Sequence, residues 1–599
     1  MPAFIDRHCR SLHQMTSAAR TRWPFLLLWL TVSGLLIWSG WTNIVTLSGW
    51  DPDDQLRLVQ LRDFLGGQSW FDTTQYRMNA PEGAPMHWSR LIELPLALIV
   101  LLLTPLFGQP IAEMVAGATV PLMLLGGTAY ILGRIATRLA NTEAGIVAAV
   151  LTFISPAILM QMRPMRIDHH GWQIFLAALA LWTMFWPDKK RGGVVLGIAL
   201  AAWLHVSLEG APLSAAFFIL LGWRWVIEKA HGNRLMWTIA AFAIASLLLF
   251  VATQPSLIAV HCDSISAPHI VAIMLAAAIM LPAIFVTPDQ RWLRLAAATV
   301  AGTAAAGAIM FMAPQCAAGA FGGLDPLVRE YWYVHVNEGL PVWQQSWDIA
   351  AMLLAVSVCG LVAFAALQFK TAGSTSTDLR LSGFFLIYAT LLSLLVFRTV
   401  AVAAAFAIPL IAMWINTLFQ QYRREYIPAR RIGLVALMLV LSIPGPLVAQ
   451  LYRTGSGLFG PKPDLEDQAV AAATERCEAP ASIAALAKLP KARFVAPFDM
   501  GPMILMTTPH EVLASSHHRN VRGMHHHIEI FRSAPDRSQS IMAKRGITYI
   551  AVCPGEPELA NYVRKDPGGL WAQLSKGKPL EWLEPIPDIG KGIKVWRVR

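Results

Sequence analysis

Residues 24 to 54 read PFLLLWLTVSGLLIWSGWTNIVTLSGWDPDD. The apolar part, Pro24 to Leu47, is longer than the roughly 7 to 15 residues of a signal-peptide core. It follows Arg7, Arg10, Arg20 and Arg22, carries no small-residue cleavage site, and runs into Trp50-Asp51-Pro52-Asp53-Asp54. It therefore reads as an uncleaved first membrane helix, its basic N-terminus held in the cytoplasm and its acidic end delivered to the far face.

Apolar runs near 20 residues recur outward from this stretch to about Leu451 and then largely stop. The 599 residues are 55% hydrophobic and 14% charged, with 22 Trp and 26 Phe, whereas soluble proteins carry about 25% charged residues. That excludes an ordinary soluble enzyme and a disordered chain. The expected organisation is a polytopic α-helical membrane domain over residues 1–452 and a soluble α/β domain over 453–599. The net charge of +11 does not point to nucleic acid, because Lys and Arg fall in short clusters between apolar runs, the positive-inside pattern. The six cysteines show no CxxC and no zinc spacing. Cys262 with Cys316 and Cys477 with Cys553 fall on one face and suit disulfides if that face is oxidising.

Basic clusters at Arg134 with Arg138, Lys189 to Arg191, Lys229 to Arg234, Arg291 with Arg294, Lys370 to Arg380 and Arg423 to Arg431 mark the cytoplasmic connections. The other face receives residues 48–90, 163–171, 254–267, 314–347 and the tail. This arrangement needs about 13 spans of roughly 20 residues. It makes 91–107, which contains Pro95 and Pro105, a re-entrant or interfacial segment. The tail alternates helical runs near 465–488 and 536–545 with β-like runs at 494–496, 512–514, 548–552 and 593–598.

Four polar clusters share the outer face, where ionisable groups beside a membrane are costly to keep without a task. Asp51, Asp53 and Asp54 suit a divalent cation and equally suit a helix N-cap. Arg163, Arg166, Asp168, His169 and His170 form a mixed acid and imidazole set that Mn²⁺ tolerates better than Mg²⁺; the plainer reading is an Arg166–Asp168 pair with interfacial histidines. Glu338 stands in the aromatic loop Tyr331 to Trp343, which as aromatics alone is an interface belt. Arg398, between apolar helices, either snorkels or binds phosphate. Glu209 suits a cavity wall or helix-end solvation, and His517, His518 and His525 to His527 suit metal by composition or plain loop roles.

These clusters, in this order and on one face, resemble the catalytic subunit of oligosaccharyltransferases, within the GT-C class of polyprenyl-dependent glycosyltransferases. That family opens with an acidic Asp-Pro motif, as in Asp51-Pro52-Asp53-Asp54. It carries Asp-x-Asp after an Arg, which Arg166-Ile167-Asp168-His169-His170 resembles with His170 in place of the second acid. It has a Glu spaced before Pro as in Val336-Asn337-Glu338-Gly339-Leu340-Pro341, and an Arg at the place of Arg398. Its Trp-Trp-Asp-Tyr-Gly motif keeps only Asp499 and Gly501 here, so an Asn-sequon acceptor does not carry over. The stretch from Leu91 to Pro156 also resembles lipid A aminoarabinose transferases and protein mannosyltransferases of the same class.

The resemblance implies an inverting transfer of a sugar or oligosaccharide from a polyprenyl-(pyro)phosphate to a protein, lipid or polysaccharide acceptor at the periplasmic face of the inner membrane. Asp51, Asp53, Asp168, His170 and Glu338 would hold Mn²⁺ or Mg²⁺. Arg163, Arg166 and Arg398 would bind the donor phosphate, Asp53 or Asp54 would orient or deprotonate the acceptor, and Asp499, Gly501 and Trp343 would line the acceptor site. Two rival classes stay open: a transporter or flippase of lipid-linked substrate, which would place its acids near the bilayer midplane within inverted repeats, and a non-catalytic polysaccharide-assembly subunit. No nucleotide-binding motif supports a nucleotide-sugar donor.

Overall fold

The computed structural model describes residues 23–286, 289–369, 373–459, 473–587 and 589–599. The four N-terminal arginines and part of the expected 465–488 helix lie outside these. Among the described residues nine helices are long and apolar enough to cross a membrane, or up to eleven if two bent pairs each count as one span. About 13 were expected, without Arg90–Phe107, which is one of the nine; the three expected spans that fall short are Trp23–Ser39, His170–Thr183 and Lys189–Val206, which are short or carry charge. Two expected single helices are broken. The first bends by 63° between Thr142–Ile154 and Pro156–Met162, and the second by 92° between Pro428–Ser442 and Pro444–Gly455. Each break falls just before a proline, which disfavours helix at the preceding residue and cannot donate to the turn behind it.

Sidedness follows from pairing. Arg138 bonds Asp378 at 3.0 Å, Gln420 bonds Glu143 at 3.1 Å and Lys229 pairs with Asp289 at 3.6 Å, so connections expected in the cytoplasm meet at one end. At the other end of Gln109–Leu139, Glu113 binds Arg62, which also donates to Met506 O at 2.9 Å. At 1.5 Å per residue the two ends of that helix lie roughly 40 Å apart. Arg90–Phe107 meets the length and apolarity of a span. Its Leu96, Ala97 and Val100 belong to a core that also holds Met78, Phe494, Met500 and Ile504, and it packs chiefly on Gln109–Leu139; by length and apolarity it suits a full crossing where the sequence suggests a re-entrant or interfacial segment.

Val400–Arg424 is the axis of the membrane domain, with every residue from Val400 to Met413 buried. A helix apolar on all sides belongs in the middle of a bundle. Arg398, in the turn Phe397–Thr399, opens it.

The C-terminal domain is built on a mixed sheet. Numbered along the chain after the ribbon β1 (Thr74–Gln75) and β2 (Ala84–Pro85), its strands are β3 (Arg493–Val495), β4 (Glu511–Val512), β5 (Tyr549–Val552), β6 (Leu583–Ile586) and β7 (Lys594–Val598), in the order β4-β3-β5-β7-β6. β3 is parallel to β4 and β5, while β7 is antiparallel to β5 and β6. β6 was not legible because it carries Glu584 and Pro585, which an edge strand tolerates. The first outer loop extends the far edge: Asn79 N donates to Val512 O and Val512 N to Arg77 O, each at 2.9 Å.

Both expected disulfides form, Cys262–Cys316 and Cys477–Cys553. Cys477–Cys553 closes a segment of 76 residues. Replacing either partner by serine is expected to lower the stability of the C-terminal domain by about 2–4 kcal/mol, read as earlier proteolysis of the tail; unchanged protease resistance would show that the sheet holds without it.

Candidate active site

The acidic turn serves two purposes at once. Asp51 caps Pro52–Leu65, its Oδ1 accepting from Asp54 N at 3.1 Å, while Oδ2 pairs with Arg166. Asp54 is 1% exposed. Its carboxylate accepts from Trp50 N at 2.9 Å, Ile167 N at 2.9 Å and Asp168 N at 3.2 Å, which fastens the second outer loop to the first. Arg166 also reaches Asp54 at 3.1 Å and Asp168 at 2.8 Å, so one guanidinium stands among three acids. Burial, then the Asp168 carboxylate, push the Asp54 carboxyl well above its usual range. Burial acts on Asp168 in the same sense but is outweighed by Arg166 and His170, which hold it low.

Asp51, Asp54 and Asp168 present oxygens within 4.8 Å of one another, as do Asp168, His169 and His170 with their ligand atoms. His170 Nδ1 lies 3.8 Å from Asp168 Oδ2 and is buried without a hydrogen-bond partner among the described residues. Hard carboxylates beside an orphaned imidazole nitrogen fit a divalent cation.

On its other side His170 Nε2 lies 3.5 Å from Glu338, which lies 3.4 Å from Arg398. Arg398 also pairs with Glu209, whose carboxylate lies 3.7 Å from His169 and accepts from Gln173 at 3.1 Å. Glu338 reaches water yet is crowded by protein. The crowding alone would raise its carboxyl, but Arg398 and the His170 bond prevail and set it at about 2. Arg398, Glu209 and His169 stand at one end of a cavity of about 570 Å³ with walls including Leu204, Leu208, Leu340, Leu392 and Val396.

The structure brings together Asp51, Asp54, Asp168 and Arg166, and beside them His170, Glu338 and Arg398. Asp53 turns away to His517 Nε2 at 3.3 Å. Arg163 lies over the Trp50 ring, 3.2 Å from its centroid. Gly501 is packed so that a Cβ would meet Ala514 O at 2.6 Å, a structural reason for glycine. Trp343 is 59% exposed and lines neither cavity beside the site. Asp499 precedes Met500–Thr507 and is exposed to water, yet surrounding protein and then the Glu558 carboxylate push it up to about 6. Because the folded state binds that proton more tightly than the unfolded chain, stability rises as pH falls through 6 toward the usual 3.8. Acidifying from pH 7 to 5 should raise the unfolding temperature of wild type more than that of Asp499→Asn, and equal rises would refute this.

Glu209, Asp263 and His517 were not assigned to the site from sequence. Asp263 holds the C-terminal domain in place, accepting from Arg519 at 2.8 and 2.6 Å and from His518 at 2.7 Å. The only signal for these contacts was a His tract and single acids at helix ends.

The chain has the GT-C fold of the oligosaccharyltransferases, a polytopic helical domain carrying its polar loops on one face and a C-terminal domain beyond them. No protein-family model matches the sequence. The structure of the archaeal oligosaccharyltransferase AglB from Archaeoglobus fulgidus, in complex with an inhibitory peptide and a dolichol-phosphate, superposes with a TM-score of 0.64 at 13% identity, over 94% of this chain and 73% of that one. ArnT from Cupriavidus metallidurans bound to undecaprenyl phosphate gives a TM-score of 0.50 at 11% identity, over 96% and 98%. In sequence, 172 residues are 27% identical to dolichyl-phosphooligosaccharide-protein glycotransferase 2 of Archaeoglobus fulgidus. That match takes in 28% of this chain and 27% of the relative, so the chain spans about a quarter of the length of the curated relative it matches.

Proposed function

We propose that the chain is a membrane glycosyltransferase that moves a sugar or oligosaccharide from a polyprenyl-(pyro)phosphate to an acceptor on the periplasmic face, with inversion. The observation that carries this reading is the placement of Arg398 and Glu209 in the wall of a cavity lined largely by apolar side chains and large enough for a lipid-linked head group, with Glu338 paired to Arg398 and the acid cluster reached through His169 and His170. Arg398 lies in the turn that leads into the 25-residue helix Val400–Arg424, so a guanidinium and a helix N-terminus favour an anion at one place. Glu209 and Glu338 hold the guanidinium in position to bind the departing phosphate. An oxygen or nitrogen of the acceptor attacks the anomeric carbon from the opposite side, and the bonding pair of the sugar–phosphate bond leaves with the phosphate.

Asp51, Asp54 and Asp168, with His170 and Glu338, would hold Mn²⁺ or Mg²⁺, with Arg166 shifting to share the acids. A bound ion of this kind supplies Lewis-acid neutralisation of the departing phosphate. The Archaeoglobus fulgidus enzyme solved in complex with Zn and sulfate supports a divalent cation and an anion within this fold. Asp53, turned to the C-terminal domain, is left to the acceptor, beside Asp499. Two disulfides on this face suit an oxidising compartment.

The test is consumption of radiolabelled polyprenyl-linked glycan, extracted from the source cells, by purified protein with Mn²⁺, Mg²⁺ or chelator, in wild type and Glu338→Ala. Metal-dependent release that Glu338→Ala abolishes is expected. Glycan retained on lipid by folded wild type under every condition would return the transporter or assembly-subunit readings.

A further inference from the structure

His517 belongs to the tract joining β4 to the helix Val521–Arg532, and nothing in the reading above uses it. It is 2% exposed, with its ring edge-to-face on Trp88 at 4.9 Å between centroids. Its backbone is fixed on both sides, N donating to Ser515 O at 2.8 Å and O accepting from Asn520 N at 3.0 Å. Nδ1 lies 2.7 Å from Ser515 Oγ. Besides Nδ1 the hydroxyl has Met78 Sδ at 3.2 Å, and a thioether is a weak acceptor, so the hydroxyl proton goes to Nδ1. That leaves the ring proton on Nε2, the nitrogen facing Asp53 Oδ1 at 3.3 Å.

This Nε2 is buried and, among the described residues, forms no well-aligned hydrogen bond. A buried donor left in that state is costly, and contacts of this kind in a site without substrate tighten once substrate is in place. Asp53 itself is 31% exposed, so a second oxygen remains free for an acceptor. It also lies within electrostatic reach of Arg398 on the donor side and Asp499 on the acceptor side. Resting on the glycosyltransferase reading, we propose that His517 is a positioning residue: the chain Ser515 Oγ–H to His517, and His517 Nε2–H to Asp53, aims the free Asp53 oxygen at the acceptor's nucleophile. The acceptor proton passes to Asp53 as the nucleophile bonds to the anomeric carbon, and the sugar–phosphate bonding pair leaves with the phosphate. The C-terminal domain thereby completes the site chemically as well as covering it.

The test uses full-length protein, the labelled lipid-linked glycan as donor and the envelope fraction of the source cells titrated as acceptor. His517→Phe keeps a ring against Trp88 but donates nothing; His517→Gln restores an N–H toward Asp53. Expected for His517→Phe is a maximal transfer rate lower by about ten- to a hundredfold, the cost of a misaimed reacting group, with unchanged acceptor half-saturation and unchanged donor label co-purifying with the protein. His517→Gln should recover most of the rate. A His517→Phe rate within twofold of wild type, or a folded His517→Gln no better than His517→Phe, overturns the proposal. Should His517→Phe fail to fold, Ser515→Ala decides: a several-fold loss at saturating acceptor supports it and an unchanged rate overturns it. Failure of the wild type to release glycan at all would instead overturn the glycosyltransferase reading.

Discussion

Asp168→Asn should lower the rate of glycan release by about a thousandfold or more while the protein keeps its elution volume and lipid-linked donor. The carboxamide has nearly the shape of the carboxylate, and Asn Oδ1 can still accept from His170 N, as Asp168 does at 2.9 Å. What is lost is a charge shared by Arg166 and any cation held with Asp51 and Asp54. Losing a charge that fixes the Lewis acid costs several kcal/mol of transition-state stabilisation, and each 1.4 kcal/mol is about tenfold in rate. The measurement is donor consumption across a Mn²⁺ titration, and a variant saturating at the wild-type rate would remove Asp168 from the site.

The second large effect concerns folding. Glu93 accepts from Arg57 and Arg90, each at 2.9 Å, and the three side chains are 1%, 1% and 2% exposed. Arg57 also lies over the Trp88 ring, 4.4 Å from its centroid. Glu93→Leu keeps the volume but leaves the buried guanidiniums of Arg57, on the acid-bearing helix, and of Arg90 without their shared carboxylate. Loss of one partner of a buried ionic set costs about 3–5 kcal/mol, expected here as a large drop in unfolding temperature in detergent or loss of folded yield. Glu93→Gln should fall between, because it keeps one acceptor; a wild-type unfolding temperature in Glu93→Leu would mean the loop relaxes to admit water.

The membrane domain was legible because hydropathy and Arg/Lys placement are one-dimensional signals, and Arg138 meets Asp378 at the end where the sequence groups their two connections. The grouping of Asp54, Asp168, Glu338 and Arg398 was legible only through the order and sidedness of motifs. The partition inside the site was not. Adjacent Asp53 and Asp54 find different partners because Pro52–Leu65 is already helical there, and successive helical positions point about 100° apart. Arg166 reads as a phosphate ligand in sequence but stands among carboxylates, since its loop folds back onto Asp54 through two backbone N–H groups. The sequence marks His517 only as part of a His tract and gives no partner for it or for Asp263, for a plainer reason: those partners lie 464 and 256 positions away, and no local pattern encodes such a meeting.

The bonds from Arg62 to Met506 and from Arg77 to Leu505 span 444 and 428 residues, and they tie the first outer loop to the domain of the mixed sheet. Contacts so distant in sequence form slowly and late. During synthesis the acidic helix Pro52–Leu65 therefore stays with Leu56, Leu58 and Leu61 partly uncovered until the helix Met500–Thr507, which packs on it, has been made. A nascent chain halted before residue 493 already holds Asp51, Asp53, Asp54, Asp168, Glu209 and Glu338 but lacks the surface that covers the acidic helix, so the site is completed only once residues 500–507 have been made and depends on whatever shields that apolar surface in the interval.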